Sequence, residues 1–140
     1  MRTNDPPVLG TGARVLVVDD YPDAAETASM LLTLHGYECR TATTGQEALD
    51  QAAVFEPNIV LLDIGLPDIT GYEVARTLRA RAGDRPLFIA AVTGWGQPAD
   101  LDKAYAAGVD HHITKPASMQ KLSQIVKLAD QRNAERHPAR

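Results

Sequence analysis

A chain of 140 residues, 44% of them hydrophobic, is long enough for one domain with a sizeable core and too short for two comfortable ones. The formal charge of −4, from 18 acidic against 14 basic residues with no dense Lys/Arg cluster, argues against nucleic acid as a partner. The only cysteine, Cys39, excludes an internal disulfide and a cysteine-built zinc site; no apolar run reaches membrane-spanning length and no signal-peptide core opens the chain, so a cytoplasmic protein without a membrane partner is expected.

Residues 1–13 carry Pro6, Pro7, Gly10 and Gly12 among polar residues without a hydrophobic period, which predicts a flexible leader. Residues 14–18 form a continuous apolar strand ending in the acid pair Asp19-Asp20. Pro22 suits the first turn of a helix with Ala24, Ala28, Leu31 and Leu32 at helical spacing, stopped by Gly36. Residues 38–42 alternate polar and apolar, as a less covered strand does. Thr44 and Glu47 have capping-box spacing for a helix running to about residue 53. The apolar run 59–62 is a strand ending at Asp63, and after a loop a second box, Thr70 and Glu73, starts a helix with Val74, Ala75 and Leu78 inward. Residues 87–92 make another wholly apolar strand, ending in Thr93-Gly94; Pro98 opens a short helix that Gly108 closes. A fifth strand over 109–113 has a polar middle and leads to Lys115-Pro116. Ser118 begins a last helix with Leu122, Ile125, Val126 and Ala129 on one face, and 131–140 reads as a polar tail beyond a domain of 14–130.

Five strands alternating with five helices predict an α/β fold, a doubly wound five-stranded parallel sheet with helices on both faces. The three wholly apolar strands belong in the middle and the two partly polar ones at the edges. With right-handed crossovers this favours the order 2-1-3-4-5. The winding then reverses between the first and third strands, so the crevice opens where Asp19, Asp20 and Asp63 stand. Three carboxylates in one crevice repel each other, and a divalent cation relieves that; oxygen donors suit Mg²⁺ or Mn²⁺. Thr93 and Lys115 end two further strands on the same rim. A hydroxyl and an ammonium beside a metal and a carboxylate suit a phosphoryl group, which points to phosphoryl transfer.

The residues Val17-Val18-Asp19-Asp20, Leu62-Asp63-Ile64-Gly65-Leu66-Pro67 with Gly71, Thr93-Gly94, and Gly108-Val109-Asp110 with Lys115-Pro116 resemble, in order, the motifs of the receiver domain of bacterial two-component response regulators. The match covers roughly residues 13–130. The resemblance implies a flavodoxin-like receiver fold that catalyses only its own phosphorylation and dephosphorylation. It makes Asp63 the phosphoacceptor, taking the group from a histidine kinase or histidine phosphotransfer protein and switching the binding of a downstream protein. It implies that Asp20, Asp63 and the backbone carbonyl of Gly65 bind Mg²⁺ directly, Asp19 through water, and that Lys115 pairs with Asp63 and then with a phosphoryl oxygen. Thr93 would swing in to bond the new phosphoryl group. In most relatives an aromatic three residues before the lysine follows that motion; here His112 stands there, and its protonation near neutral pH is a second candidate switch, set against a plain packed or surface imidazole. Trp95 is placed to shade the site or is an ordinary loop aromatic, and the adjacent His111 and His112 face opposite sides of a strand, so they make no metal pair.

Three other readings are compatible with parts of this pattern. The receiver end of a hybrid histidine kinase fits Thr93-Gly94-Trp95-Gly96-Gln97 with Asp110-His111-His112. A Mg²⁺-dependent phosphohydrolase acting on small molecules is opposed by Gly65, which stands where haloacid-type enzymes keep a second Asp. A flavodoxin-like cofactor binder lacks its phosphate loop after the first strand.

Overall fold

The computed structural model describes residues 13–94, 101–115 and 118–136. The expected leader apart from residue 13, Trp95, the helix start at Pro98 and Pro116 lie outside the described residues. In chain order the elements are β1 (Arg14–Val18), α1 (Pro22–Leu34), β2 (Glu38–Ala42), α2 (Gly45–Phe55), β3 (Ile59–Asp63), α3 (Gly71–Ala82), β4 (Phe88–Thr93), α4 (Leu101–Ala106), β5 (His111–Thr114) and α5 (Met119–Arg136). The strands form one sheet in the order β2-β1-β3-β4-β5, every pair parallel.

The unbroken apolar strands follow from that architecture, because alternate side chains enter two different cores. Leu16, Val18, Val60, Leu62, Ile89 and Ala91 meet Ala48, Ala52, Val74 and Leu78 from α2 and α3, with Ala104 from α4. Val15, Val17, Ile59, Leu61, Phe88 and Ala90 face the other way, onto Ala25 and Leu32 of α1 and Leu122, Ile125, Val126 and Ala129 of α5. β2 alternates exposed and covered residues, as an edge strand should.

Local signals decide where the helices begin and end. Thr44 and Thr70 each accept a hydrogen bond from the N–H three residues on, at 3.0 Å from Glu47 and 3.2 Å from Glu73. Neither box closes reciprocally: Glu47 reaches back to the Thr43 N–H at 2.6 Å, and Glu73 pairs with Arg76. At the far end of α1, Gly36 adopts φ 94° while the Tyr37 N–H bonds to the Leu32 carbonyl, the left-handed stop that a side chain would strain.

Several boundaries or faces differ from expectation; the fourth strand, for one, runs from Phe88 to Thr93 and not over 87–92. The inward stripe of α1 is centred on Ala25 and Leu32, with Ala28 and Leu31 flanking and Ala24 only half-buried. The second helix runs two residues past 53, to Phe55. The fifth strand begins at His111, because Asp110 substitutes its side chain for a ladder carbonyl: its carboxylate accepts the Ile89 N–H at 2.9 Å while its own N–H bonds to the Ile89 carbonyl at 2.8 Å. The last helix continues through 131–136, where a polar tail was expected. Its final turns are pinned to the amino end of the sheet by Tyr37 donating to Asp130 at 3.0 Å and Asn133 donating to the Asn58 carbonyl at 3.1 Å.

Candidate functional site

Because all five strands run the same way, their carboxyl ends share one rim. β1 stops at Val18 and leaves Asp19 and Asp20 on the turn into α1; β3 ends with Asp63, β4 with Thr93, and Lys115 is the first residue past β5. The register places Asp63 opposite Val92 and Thr93 opposite Thr114.

One carboxylate oxygen from each of Asp19, Asp20 and Asp63 lies within 4.8 Å of the others. Asp63 is 4% exposed, and a carboxylate so buried needs partners. The Gly65 N–H donates to its Oδ1 at 2.9 Å, and the Lys115 ammonium donates to its Oδ2 at 3.0 Å. The same ammonium lies 3.6 Å from Asp19 Oδ2, while the Tyr21 N–H donates to Asp19 Oδ1 at 3.0 Å. Asp20 is exposed at the mouth of the cluster. Lost solvation, the hydrogen bond it shares with Asp63 and the charges of Asp63 and Asp19 push its carboxyl above the ordinary range. Burial alone would pull the Lys115 ammonium down, but the hydrogen bond and charge of Asp63, with Asp19 and Asp20 behind it, hold it above its usual value.

The cluster carries three acids against one lysine, all its acidic donors are hard oxygens, and its solvent side is open at Asp20. That donor set fits Mg²⁺ or Mn²⁺, whose charge would relieve the repulsion that raises Asp20.

Thr93 is 8% exposed and donates its hydroxyl to the Ile113 carbonyl at 3.4 Å, while its own carbonyl accepts the Lys115 N–H at 2.8 Å. Thr93 and Lys115 are thus tied to each other by backbone beside the acid cluster. His112 stays apart: it is half-buried in β5 opposite Ala91, on the α2–α3 side of the sheet. His111, opposite Ala90, faces the α5 side, so the two imidazoles point to opposite faces as the strand period requires. Between α1 and α5 a cleft of about 610 Å³ flanks the cluster, with Tyr21, Ala28 and Leu122 in its walls and Asp19 and Lys115 at its edge.

Two residues shape this rim more than their sequence context suggests. A Cβ on Gly71 would lie 2.6 Å from Ile64 Cα and 2.8 Å from the Asp63 carbonyl oxygen, so only glycine lets the start of α3 pack on the backbone beside the acid. Asp68, in the loop after β3, accepts hydrogen bonds from the Gly45 N–H at 2.7 Å and the Gln46 N–H at 2.9 Å, at the start of α2. Asp68 stood in the sequence only as a loop residue; its partners lie 23 and 22 positions away, beyond any local pattern.

Residues 15–127 match the response regulator receiver domain family. The transcriptional regulatory protein KdpE of Mycobacterium tuberculosis is 37% identical over 119 residues, covering 85% of this chain and 51% of that protein. The cell cycle transcriptional regulator CtrA of Caulobacter vibrioides is 33% identical over 103 residues, 74% of this chain and 44% of that one. The chain therefore spans about half the length of the curated relatives it matches. Among solved structures, a CheY-like response regulator receiver domain protein from Methanospirillum hungatei superposes with a TM-score of 0.79 at 28% identity, over 88% of this chain and 98% of that one. The chemotaxis protein CheY4 of Vibrio cholerae does so with a TM-score of 0.77 at 27% identity, over 84% and 98%.

Proposed function

This chain belongs to the response regulator receiver domain family of two-component signalling, and from that premise we propose that Asp63 is its phosphoacceptor and that the rim around it performs the transfer. The observation that carries the reading is the buried Asp63 carboxylate, held by Lys115 at 3.0 Å beside two further acids within 4.8 Å.

A carboxylate oxygen of Asp63 attacks the phosphorus of a phosphohistidine on a histidine kinase or phosphotransfer protein. The P–N bond breaks, and the imidazole leaves with the electron pair and takes up a proton. Asp20, Asp63 and the Gly65 carbonyl are the residues that would hold Mg²⁺ or Mn²⁺, with Asp19 acting through water. When bound, that ion supplies positive charge against the phosphoryl oxygens. Lys115 supplies a second positive charge, moving from Asp63 to a phosphoryl oxygen, and Asp63 is already oriented by the Gly65 N–H. Thr93 exchanges its bond to the Ile113 carbonyl for one to the phosphoryl group, which draws the end of β4 inward. The product is an acyl phosphate that water hydrolyses, so the chain acts only on itself and the signal has a built-in lifetime. His112, in the strand that leads to Lys115, is the candidate to follow that motion. A cytoplasmic setting, beside a histidine kinase and a downstream protein, is the one this chemistry serves; among the described residues no helix is long and apolar enough to cross a membrane.

The phosphohydrolase reading finds no support at Gly65, whose N–H, in place of a second acid, faces Asp63. Incubation with acetyl phosphate and Mg²⁺ is expected to add the mass of one phosphoryl group, and Asp63→Asn to abolish the gain. Persistence of the gain in that variant, or turnover of a free phosphoester, overturns the reading. For His112, an activated fraction unchanged in His112→Ala removes it as a switch.

A further inference from the structure

We propose that Asp68 is a positioning residue for the metal site: by clamping the loop after β3 to the start of α2, it fixes where the Gly65 carbonyl stands. The inference rests on the reading of Asp20, Asp63 and Gly65 as cation ligands. The loop of residues 64–70 leaves the sheet at Asp63 and is anchored at three places. Near its start, the Gly65 N–H bonds to Asp63 and the Ile64 N–H bonds to the Val92 carbonyl at 3.2 Å. At its end, the Gly71 N–H closes back onto the Ile64 carbonyl at 3.1 Å. In its middle, Asp68 bridges with both carboxylate oxygens to Gly45 and Gln46.

That middle anchor is unusually well matched. The first amides of a helix have no partner within it and carry the positive end of its dipole, so a carboxylate is the acceptor they favour. The Gln46 and Gly45 hydrogen bonds hold the Asp68 carboxyl below the ordinary range. Gly45 is buried beneath the loop: a Cβ there would lie 2.9 Å from Ile69 Cβ and 3.2 Å from Asp68 Oδ1. Thr44 already serves the Glu47 N–H, so Asp68 is no substitute for the cap of α2 but an added tie between two elements. Asp68 stands three positions after Gly65. A free loop would spread the Gly65 carbonyl over many positions, and a cation would then have to order it on binding.

Calorimetric Mg²⁺ titration of the full chain and amide hydrogen exchange at Gly45 and Gln46 test this. Asp68→Ala is expected to weaken Mg²⁺ binding about tenfold, the scale on which groups that orient a metal ligand act, and to unprotect both amides. Asp68→Asn, which keeps one oxygen acceptor, is expected to fall between it and the parent. Gly45→Ala, which forces the loop off from the other side, is expected to weaken binding as well. Thr44→Ala, which weakens the start of α2 without touching the tie, is expected to leave the affinity unchanged. Because the coupling is reciprocal, saturating Mg²⁺ slows exchange at Gly45 and Gln46 in the parent. A folded Asp68→Ala that binds Mg²⁺ like the parent, or a Thr44→Ala that loses as much as Asp68→Ala, overturns the inference while leaving the phosphoacceptor reading intact. A parent chain that binds no Mg²⁺ overturns both.

Discussion

Lys115 does two opposed things at once. It neutralises Asp63 and Asp19, at 3.0 and 3.6 Å, and thereby competes with any cation for the same oxygens. Replacing it with methionine keeps much of its bulk and removes the charge. Lys115→Met is therefore expected to bind Mg²⁺ more tightly than the parent in calorimetry, because three acids are left without a countercharge. It is also expected to take phosphate from acetyl phosphate about a hundredfold more slowly, because positive charge on the transferring group is lost. A drop in both quantities would mean that Lys115 holds the site's shape more than its charge. The two effects have opposite signs only if the ammonium faces Asp63 in solution as it does in the fold. The residue types themselves were legible in the chain: an acid, a hydroxyl and an amine at strand ends. The pairing of Lys115 with Asp63 was implied by the family resemblance alone; no local pattern in the chain shows it, since the 3.0 Å contact joins residues 52 positions apart.

At the scale of elements, the entry to β5 is held by polar ties. Arg79 of α3 donates to the Leu87 carbonyl at 2.7 Å and to the Gly108 carbonyl at 2.7 Å, and pairs with Asp110, which also takes the Ile89 N–H. Arg79→Ala removes the countercharge from Asp110, whose side chain is only 10% exposed, and is expected to cost about 2 kcal/mol in urea unfolding. Arg79→Lys should recover little of it, because a single ammonium cannot span three acceptors. The same strand gives a pH signature. Burial, with the charges of His112 and Arg132, holds the His111 imidazole below its ordinary 6.5. Between its folded value and 6.5 the unfolded chain binds more protons, so this contribution to stability is intact above 6.5 and is lost as pH falls through that window. His111→Leu is expected to flatten that part of the curve, read as the difference in thermal midpoint between about pH 5 and about pH 8. An unchanged slope would place the titration elsewhere.

For the molecule as a whole, a cation held at the carboxylate rim would bind only the folded chain, so Mg²⁺ bound there would add stability by mass action. At a free concentration ten times its dissociation constant the gain is about 1.4 kcal/mol. A rise in thermal midpoint with Mg²⁺ in the parent, and its loss in Asp20→Asn, is the expected pattern; equal rises in both would put the ion elsewhere. How much of this molecule could be read beforehand depends on the range of the forces involved. Apolar runs of four to six residues, Gly36 and the threonines at positions 44 and 70 act within a turn or a strand, so element types and most boundaries were present in the chain. The contrast between wholly apolar and alternating strands carried the strand order, because only a central strand is covered on both faces. Where a boundary depended on a distant partner, local reading failed: Asp110 shortens β5 through Ile89, and Tyr37 and Asn58 extend α5 to Arg136. The same division runs through the site. Sequence alone determined which chemical groups stand at the strand ends, since a parallel sheet must bring those ends to one rim. Only the tertiary structure decided that Lys115 bridges two acids and that Asp68 ties its loop to α2, because hydrogen bonds between residues far apart in the chain are chosen by packing and leave no periodic trace.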